Sequence, residues 1–197
     1  MGVQLFAVTG SHGTAITPPG TEMVAFRELA AVVGEAAPDG DVALAHYRKV
    51  VECVFRRQGV LPAPPGTVFR DRGLVMQWLE LHYFTLLDTL GFVDDRVVAR
   101  VTVVRSPAHE PGEEVDEAAE TVLQDALRVL RRHAVATVSM GGGDTQRPVA
   151  ASFLVDRERW EHFADMVESE SARLPDFTLS LSGPWPPYDF VRMRFDS

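Results

Sequence analysis

The sequence is short of the residues on which several function classes depend. It holds a single cysteine, Cys53, so no disulfide forms within the chain and no cysteine-rich zinc site can be assembled. Lys and Arg number 19 against 28 Asp and Glu, a net charge of −9. Nucleic acids and anionic membrane surfaces are held through an excess of Lys and Arg, so neither is an expected partner. No apolar run reaches the roughly 18 residues of a membrane span. Met1-Gly2-Val3-Gln4-Leu5 has no basic region followed by an apolar stretch and a cleavage site, so no secretion signal is expected. His12, His46, His82, His109, His133 and His162 make no HExxH or His-x-His spacing, and no G-x-S-x-G elbow occurs. The expectation is a soluble, cytoplasmic protein with no metal, no nucleotide, no cofactor and no catalytic residue.

What is present is the composition of a folded chain. Hydrophobic residues make up 46% and charged residues 24%, enough for ordinary cores, and 197 residues allow two small domains. Val3 to Val8 reads as a strand. The Thr9-to-Thr14 turn after it does not complete GxGxxG and leads to Pro18-Pro19-Gly20, so it reads as a plain loop. A strand is expected near Met23 to Arg27, and Leu29 to Val33 suits either a second strand or a short helix. Ala43, Tyr47, Val50, Val51 and Val54 recur at helical spacing, with Asp39 or Asp41 as a cap and Gly59 as the end. Cys53 packs within or beside that helix. Val60 to Gly66 carries three prolines and a glycine and cannot be helical. Asp71 then caps a second long helix with Val75, Leu79, Tyr83, Leu86 and Leu90 as its stripe, ended by Gly91. His82 lies beside that stripe as a structural histidine.

The second half alternates more plainly. Val97 to Val104 is a β-branched strand. Glu113 to Arg132 is a helix with Val115, Ala119, Val122, Ala126 and Val129 inward, acids at its start and arginines at its end. Its Glu113-Glu114, Asp116-Glu117 and Glu120 cluster reads as a solvated helix start rather than as acid–base machinery. Ala134 to Met140 and Pro148 to Val155 are strands joined through Gly141-Gly142-Gly143, a hairpin tip with no following Lys to make it a phosphate cradle. Asp156 caps a helix carrying Trp160, Phe163, Ala164 and Val167, and Phe177 to Leu181 is the last strand. The fold class is therefore α+β in two small domains. Residues 1–92 form an N-terminal α/β domain with two long helices. Residues 93–197 form a ferredoxin-like domain, βαββαβ, an antiparallel sheet with two helices on one face.

One stretch is distinctive. After Phe177, Leu179 and Leu181 alternate onto one face, the chain runs into Gly183-Pro184-Trp185-Pro186-Pro187-Tyr188-Asp189-Phe190-Val191. Prolines cannot donate to a ladder, so the strand stops or becomes an edge there. This segment resembles the C-terminal signature of the gas vesicle GvpL/GvpF family, which usually has Ser at the position of Asp189. Val60-Leu61-Pro62 with Gly66-Thr67-Val68-Phe69-Arg70 resembles the family's proline–glycine junction, and Ala150 to Asp156 its penultimate strand. Gly66, Thr67, Val68, Phe69, Gly183, Pro184, Trp185, Pro186, Pro187, Tyr188 and Phe190 are thus the motif residues, structural or interfacial. Trp185 and Tyr188 are expected to be buried and to lock the exit of the last strand.

The resemblance implies the same fold for the second half and a non-enzymatic role. Such a protein would be an accessory or minor component of gas vesicles, assisting shell assembly or nucleation by binding the shell protein GvpA and other accessory proteins. The alternative is a ferredoxin-like small-molecule-binding protein or enzyme, since fold alone does not set function. Two departures bear on the contacts. Pro62-Ala63-Pro64-Pro65-Gly66 has no aromatic or basic residue before its glycine. The chain runs only seven residues past Phe190, where many members are expected to continue as a charged helical tail.

Overall fold

The computed structural model describes residues 2–11, 17–36, 40–105, 117–140, 150–174, 177–193 and 195. The chain divides into two compact units, Met1–Asp95 with Pro186–Ser197, and Arg96–Trp185. The sequence reading assigned everything from residue 93 onward to one domain. The contacts instead return the segment from Pro186 to the first unit.

The first unit is built on β1 (Val3–Gly10), whose residues from Leu5 to Thr9 are fully or almost fully buried. β2 (Thr21–Phe26) and β3 (Leu29–Glu35) form a hairpin, and β3 pairs antiparallel with β1. The choice between strand and helix at Leu29 to Val33 is settled for strand. The two-residue turn between them puts Arg27 at φ 54°. On its other edge β1 pairs with two short strands end to end, β4 (Val60–Pro62) and β5 (Val68–Phe69). A register shift between Leu5 and Ala7 changes which residues face which side. Leu5 and Val8 therefore join one core, while the Phe6 ring lies against Tyr47 and His46 of α1 (Asp41–Phe55).

That shared core takes its helical side from α2 (Arg72–Leu81) and α3 (Tyr83–Val93), through Val75, Trp78, Leu79, Tyr83, Leu86, Leu90 and Val93. Asp71 caps α2 as its sequence position predicts, its carboxylate accepting from Leu74 N at 3.0 Å. Three expectations need correction. The single long helix is two, broken at His82, whose ring lies tilted against Trp78 with centroids 5.3 Å apart. Gly91 does not end α3, which continues to Val93 because Leu90 and Val93 are both held in the core. The N-cap of α1 is Gly40, with Asp41 inside the first turn.

The second unit contains β6 (Arg96–Arg105), α4 (Glu117–Arg131), β7 (Ala136–Met140), β8 (Ala150–Asp156), a 3-10 turn at Arg157–Arg159, α5 (Trp160–Ala172) and β9 (Phe177–Trp185). Its sheet order is β7-β8-β6-β9, antiparallel at every pairing. Period two puts Ala99, Val101 and Val103 of β6 on one face with Ala151, Phe153 and Val155 of β8 and Phe177 and Leu179 of β9. Both helices share this core. α4 contributes Ala126, Leu127 and Leu130, and α5 contributes Phe163 and Val167. The inward stripe of α4 thus runs through Leu127 and Leu130 rather than Val129. Asp156 does not cap a helix with its side chain; the carboxylate pairs with Arg96 at 3.2 Å. His12, His109, Glu113 to Asp116 and the Gly141-to-Gly143 tip lie outside the described residues.

Candidate functional site

The terminal motif straddles the division between the units. Its first part finishes β9, which runs on through Pro184 to Trp185 instead of stopping at Leu181. β9 can do this because it is an edge strand, where a missing N–H costs no ladder bond. Gly183 has φ 136° and precedes a cis peptide bond to Pro184. A Cβ at Gly183 would stand 2.7 Å from the Val98 carbonyl oxygen and 2.9 Å from the Trp160 ring, so only glycine fits. Trp185 is 42% exposed, and its indole N–H donates to Ser182 Oγ at 3.3 Å. The expectation of a buried Trp185 is therefore corrected. The ring sits at the end of an edge strand beside an exposed proline.

From Pro186 the motif belongs to the first unit. Pro186 and Pro187 are buried, and a tight turn follows, with Tyr188 N bonded to Pro186 O and Phe190 N to Pro187 O. The Tyr188 ring lies 6.5 Å from that of Tyr47. Burial pushes the Tyr188 phenol up to about 12, with the Glu52 carboxylate adding to the shift. Tyr47 donates to the Ala63 carbonyl at 2.5 Å and is raised above the usual phenol range, by burial first and Tyr188 second. Beyond the motif, Val191, Met193 and Phe195 pack on the core of α2 and α3.

The proline–glycine junction has a similar explanation. Pro64, Pro65 and Gly66 bow out between β4 and β5, and the residues on either side take up the β1 groups: Ala63 N bonds to Phe6 O, and Leu5 N to Thr67 O. Thr67 closes the bow with both its N–H and its hydroxyl on Pro64 O. Gly66 has φ 79°. Val68 and Phe69 form β5, and the Phe69 ring packs against both Trp78 and Phe195.

A further feature was not anticipated. The buried stripe of α3 is Tyr83, Leu86, Leu90 and Val93, yet its outer face also carries large apolar side chains beside Thr85, Asp88 and Thr89. Phe84 is 79% exposed, and Leu81, at the end of α2, is 78% exposed. With Leu87, Gly91, Phe92 and Phe190, Phe84 lines an open groove of about 1170 Å³ whose polar lining residues are Thr85, Asp88 and Thr89, Asp88 being the charged one among the described residues. The signal in the sequence is the run YFTLLDTLGFV, which carries Phe84, Leu87 and Phe92 in addition to its buried stripe, whereas a helix packed on one side is ordinarily polar on the other. Among the described residues no group of three or more His, Cys, Asp and Glu could hold a metal ion, and no helix is long and apolar enough to cross a membrane.

The model of the family described as gas vesicle synthesis protein GvpL/GvpF matches residues 4–120 and 105–192. The chain belongs to the GvpL/GvpF family. It is 26% identical to gas vesicle protein L of Streptomyces sp. strain CB03234, over 92% of this chain and 86% of that one. It is 24% identical to gas vesicle protein F2 of Halobacterium salinarum, over 85% and 78%. The crystal structure of GvpF from Anabaena sp. PCC7120 superposes with a TM-score of 0.82, covering 98% of this chain and 99% of that one at 15% identity. GvpF from Microcystis aeruginosa gives 0.77 with the same coverage at 12% identity. At such identities these two structures speak for the fold. As a GvpL/GvpF protein, the chain is gas vesicle-associated.

Set against this GvpL/GvpF frame, the motif residues fall into three places. Gly66, Thr67, Val68 and Phe69 lie at the edge of the first sheet, and Gly183, Pro184 and Trp185 end the second sheet's edge strand. Pro186, Pro187, Tyr188 and Phe190 tie the returning chain to the first unit, and of these Phe190 alone reaches the groove along α3.

Proposed function

We propose that this protein is a non-enzymatic accessory or minor component of gas vesicles that assists shell assembly or nucleation, binding the shell protein GvpA and other accessory proteins in the cytoplasm. The observation that carries the reading is the ordered match to GvpL/GvpF from residue 4 to residue 192. The surface is compatible with it. Shell subunits must hide apolar β surface before they assemble, and this chain offers exposed apolar side chains at Leu81, Phe84 and Trp185 together with an edge strand at β9. Its net charge of −9 favours its own solubility while it holds an aggregation-prone partner. We read the second unit as ferredoxin-like, on the order strand, helix, strand, strand, helix, strand and on the β7-β8-β6-β9 sheet. The motif residues other than Trp185 and Phe190 are assigned to holding the fold. The test is a pull-down of purified GvpA and of each accessory protein with the full chain, beside vesicle counts in cells lacking it. Retention of GvpA and loss of vesicles support the reading. Normal vesicles without the protein, and no retention of any vesicle protein, would sink it.

A further inference from the structure

We propose that the groove along α3 is a docking site for an amphipathic helix of a partner protein, one that places a Lys or Arg against Asp88. This rests on the reading of the chain as a binding protein and adds the chemistry of what is bound. A helix that carries large apolar side chains outside its core face leaves them for another molecule. Exposed apolar surface rimmed by polar groups marks such places. Here the core face is Tyr83, Leu86, Leu90 and Val93, and the outer face presents Phe84, Leu87 and Phe92.

The shape favours a helix as occupant. Eleven helical residues give a wall about 16 Å long, roughly three turns. Near its C-terminal end Gly91 has nothing within 4 Å of where a Cβ would be, so a partner backbone can come close there. Phe190 joins the α3 residues in lining this shallow, open groove. Such grooves are read by apolar residues at i, i+3 or i+4, and i+7 of the incoming helix.

The charge chooses among occupants. Among the described residues Asp88 is the only charged one lining the groove. A second copy of this chain would bring a second Asp88 and a second net charge of −9 to the same surface, where like charges repel. A basic residue on the partner removes that conflict. The excess of acids over the whole chain, 28 against 19 basic residues, steers a basic segment in the same direction.

Photocrosslinking tests this in the full chain. The photoreactive p-benzoylphenylalanine replaces Phe84 in cells that build vesicles, and the adducted peptide is sequenced. The expected adduct is a segment with apolar residues at helical spacing and a Lys or Arg among them. An adduct on a second copy of this chain, on a segment without that pattern, or no adduct at all overturns the proposal. In parallel, the affinity of purified wild type for GvpA is compared with that of Phe84→Ser and Asp88→Lys. Each variant is expected to weaken binding about tenfold or more, as loss of an interface anchor does. Because Phe84 and Asp88 are exposed, both variants should melt with the wild type, so lost binding is not lost folding. Unchanged affinity in both variants removes the groove while leaving GvpA binding intact. An adduct of the expected pattern on a protein unrelated to vesicles removes the vesicle reading while leaving the groove.

Discussion

The ring of Phe195 lies flat on the indole of Trp78, centroids 5.1 Å apart and planes 14° from parallel. Phe195 thereby covers the aromatic side of α2, where Phe69 also meets both rings. Trp78 is 7% exposed. Trp78→Ala is expected to cost about 3–5 kcal/mol, as for other buried aromatic truncations. Phe195 is only partly buried, so Phe195→Ala should cost less, about 1–2 kcal/mol. Urea unfolding of both variants checks the order. If Phe195→Ala leaves the midpoint unchanged, the terminal segment contributes nothing to the first unit's stability.

Gly183 is the least replaceable residue of the terminal motif. Its φ of 136° disfavours any side chain, and the nearest obstacle to a Cβ is the Val98 carbonyl, part of the β6 backbone. Backbone cannot swing aside as a flexible side chain can. Gly183→Ala should therefore destabilise by roughly 2–4 kcal/mol from strain and overlap together. Differential scanning calorimetry measures this. A melting temperature equal to that of the wild type would show that the edge strand shifts freely at this point.

Tyrosine ionisation sets an upper pH limit on stability. The chain has three tyrosines, and all are raised. Tyr47 and Tyr188 are raised mainly by burial, and Tyr83 by its hydrogen bond to the Glu28 carboxylate. In the unfolded chain a phenol ionises near about 10. Above that pH the unfolded state releases protons that the folded state keeps, so stability falls with each further rise. The stabilisation is fully present below the unfolded value and is lost from there through about 12, where Tyr188 titrates in the fold. Tyr188→Phe should flatten the fall in stability above pH 10, and ultraviolet difference titration should show phenolate appearing later in folded than in urea-unfolded protein. Coincident titration curves would contradict the assigned burial.

Much of this fold is legible because its signals are local. Asp71 sits just before an apolar-periodic run and caps it, and the alternation of Phe177, Leu179 and Leu181 places one face of β9 in the core. The misreadings arise where a distant residue decides. Gly91 would end a helix standing alone, but the core contacts of Leu90 and Val93 hold α3 beyond it. Pro184 would end a central strand, but β9 lies at an edge. The groove is formed by Phe84 and Phe190, which are far apart in sequence, so no local pattern joins them. The Leu5-to-Ala7 register shift similarly swaps faces within β1 without any glycine or proline to announce it.

Trp185 offers the sharpest contrast between sequence and structure. Flanked by prolines in a motif with the family's signature, it reads as a buried lock, which would make its loss as damaging as that of Trp78. The structure leaves 42% of it exposed, with one hydrogen bond, to Ser182. Removing a half-exposed ring leaves little cavity, and the lost hydrogen bond is replaced by water, so Trp185→Ala should cost only about 1 kcal/mol. In a domain of this size that corresponds to a shift in Tm of roughly 2–4 °C. The same exposure can be read by fluorescence. Of the three tryptophans, Trp78 is buried and Trp160 is partly buried against the core of the second unit. Acrylamide should therefore quench Trp185 most efficiently, and Trp185→Phe should remove the most quenchable part of the emission. A loss of about 3 kcal/mol or more on Trp185→Ala, as for a buried aromatic, together with quenching unchanged in Trp185→Phe, would return Trp185 to the core and make the whole motif structural. Normal stability with diminished retention of GvpA would instead mark the ring as a contact.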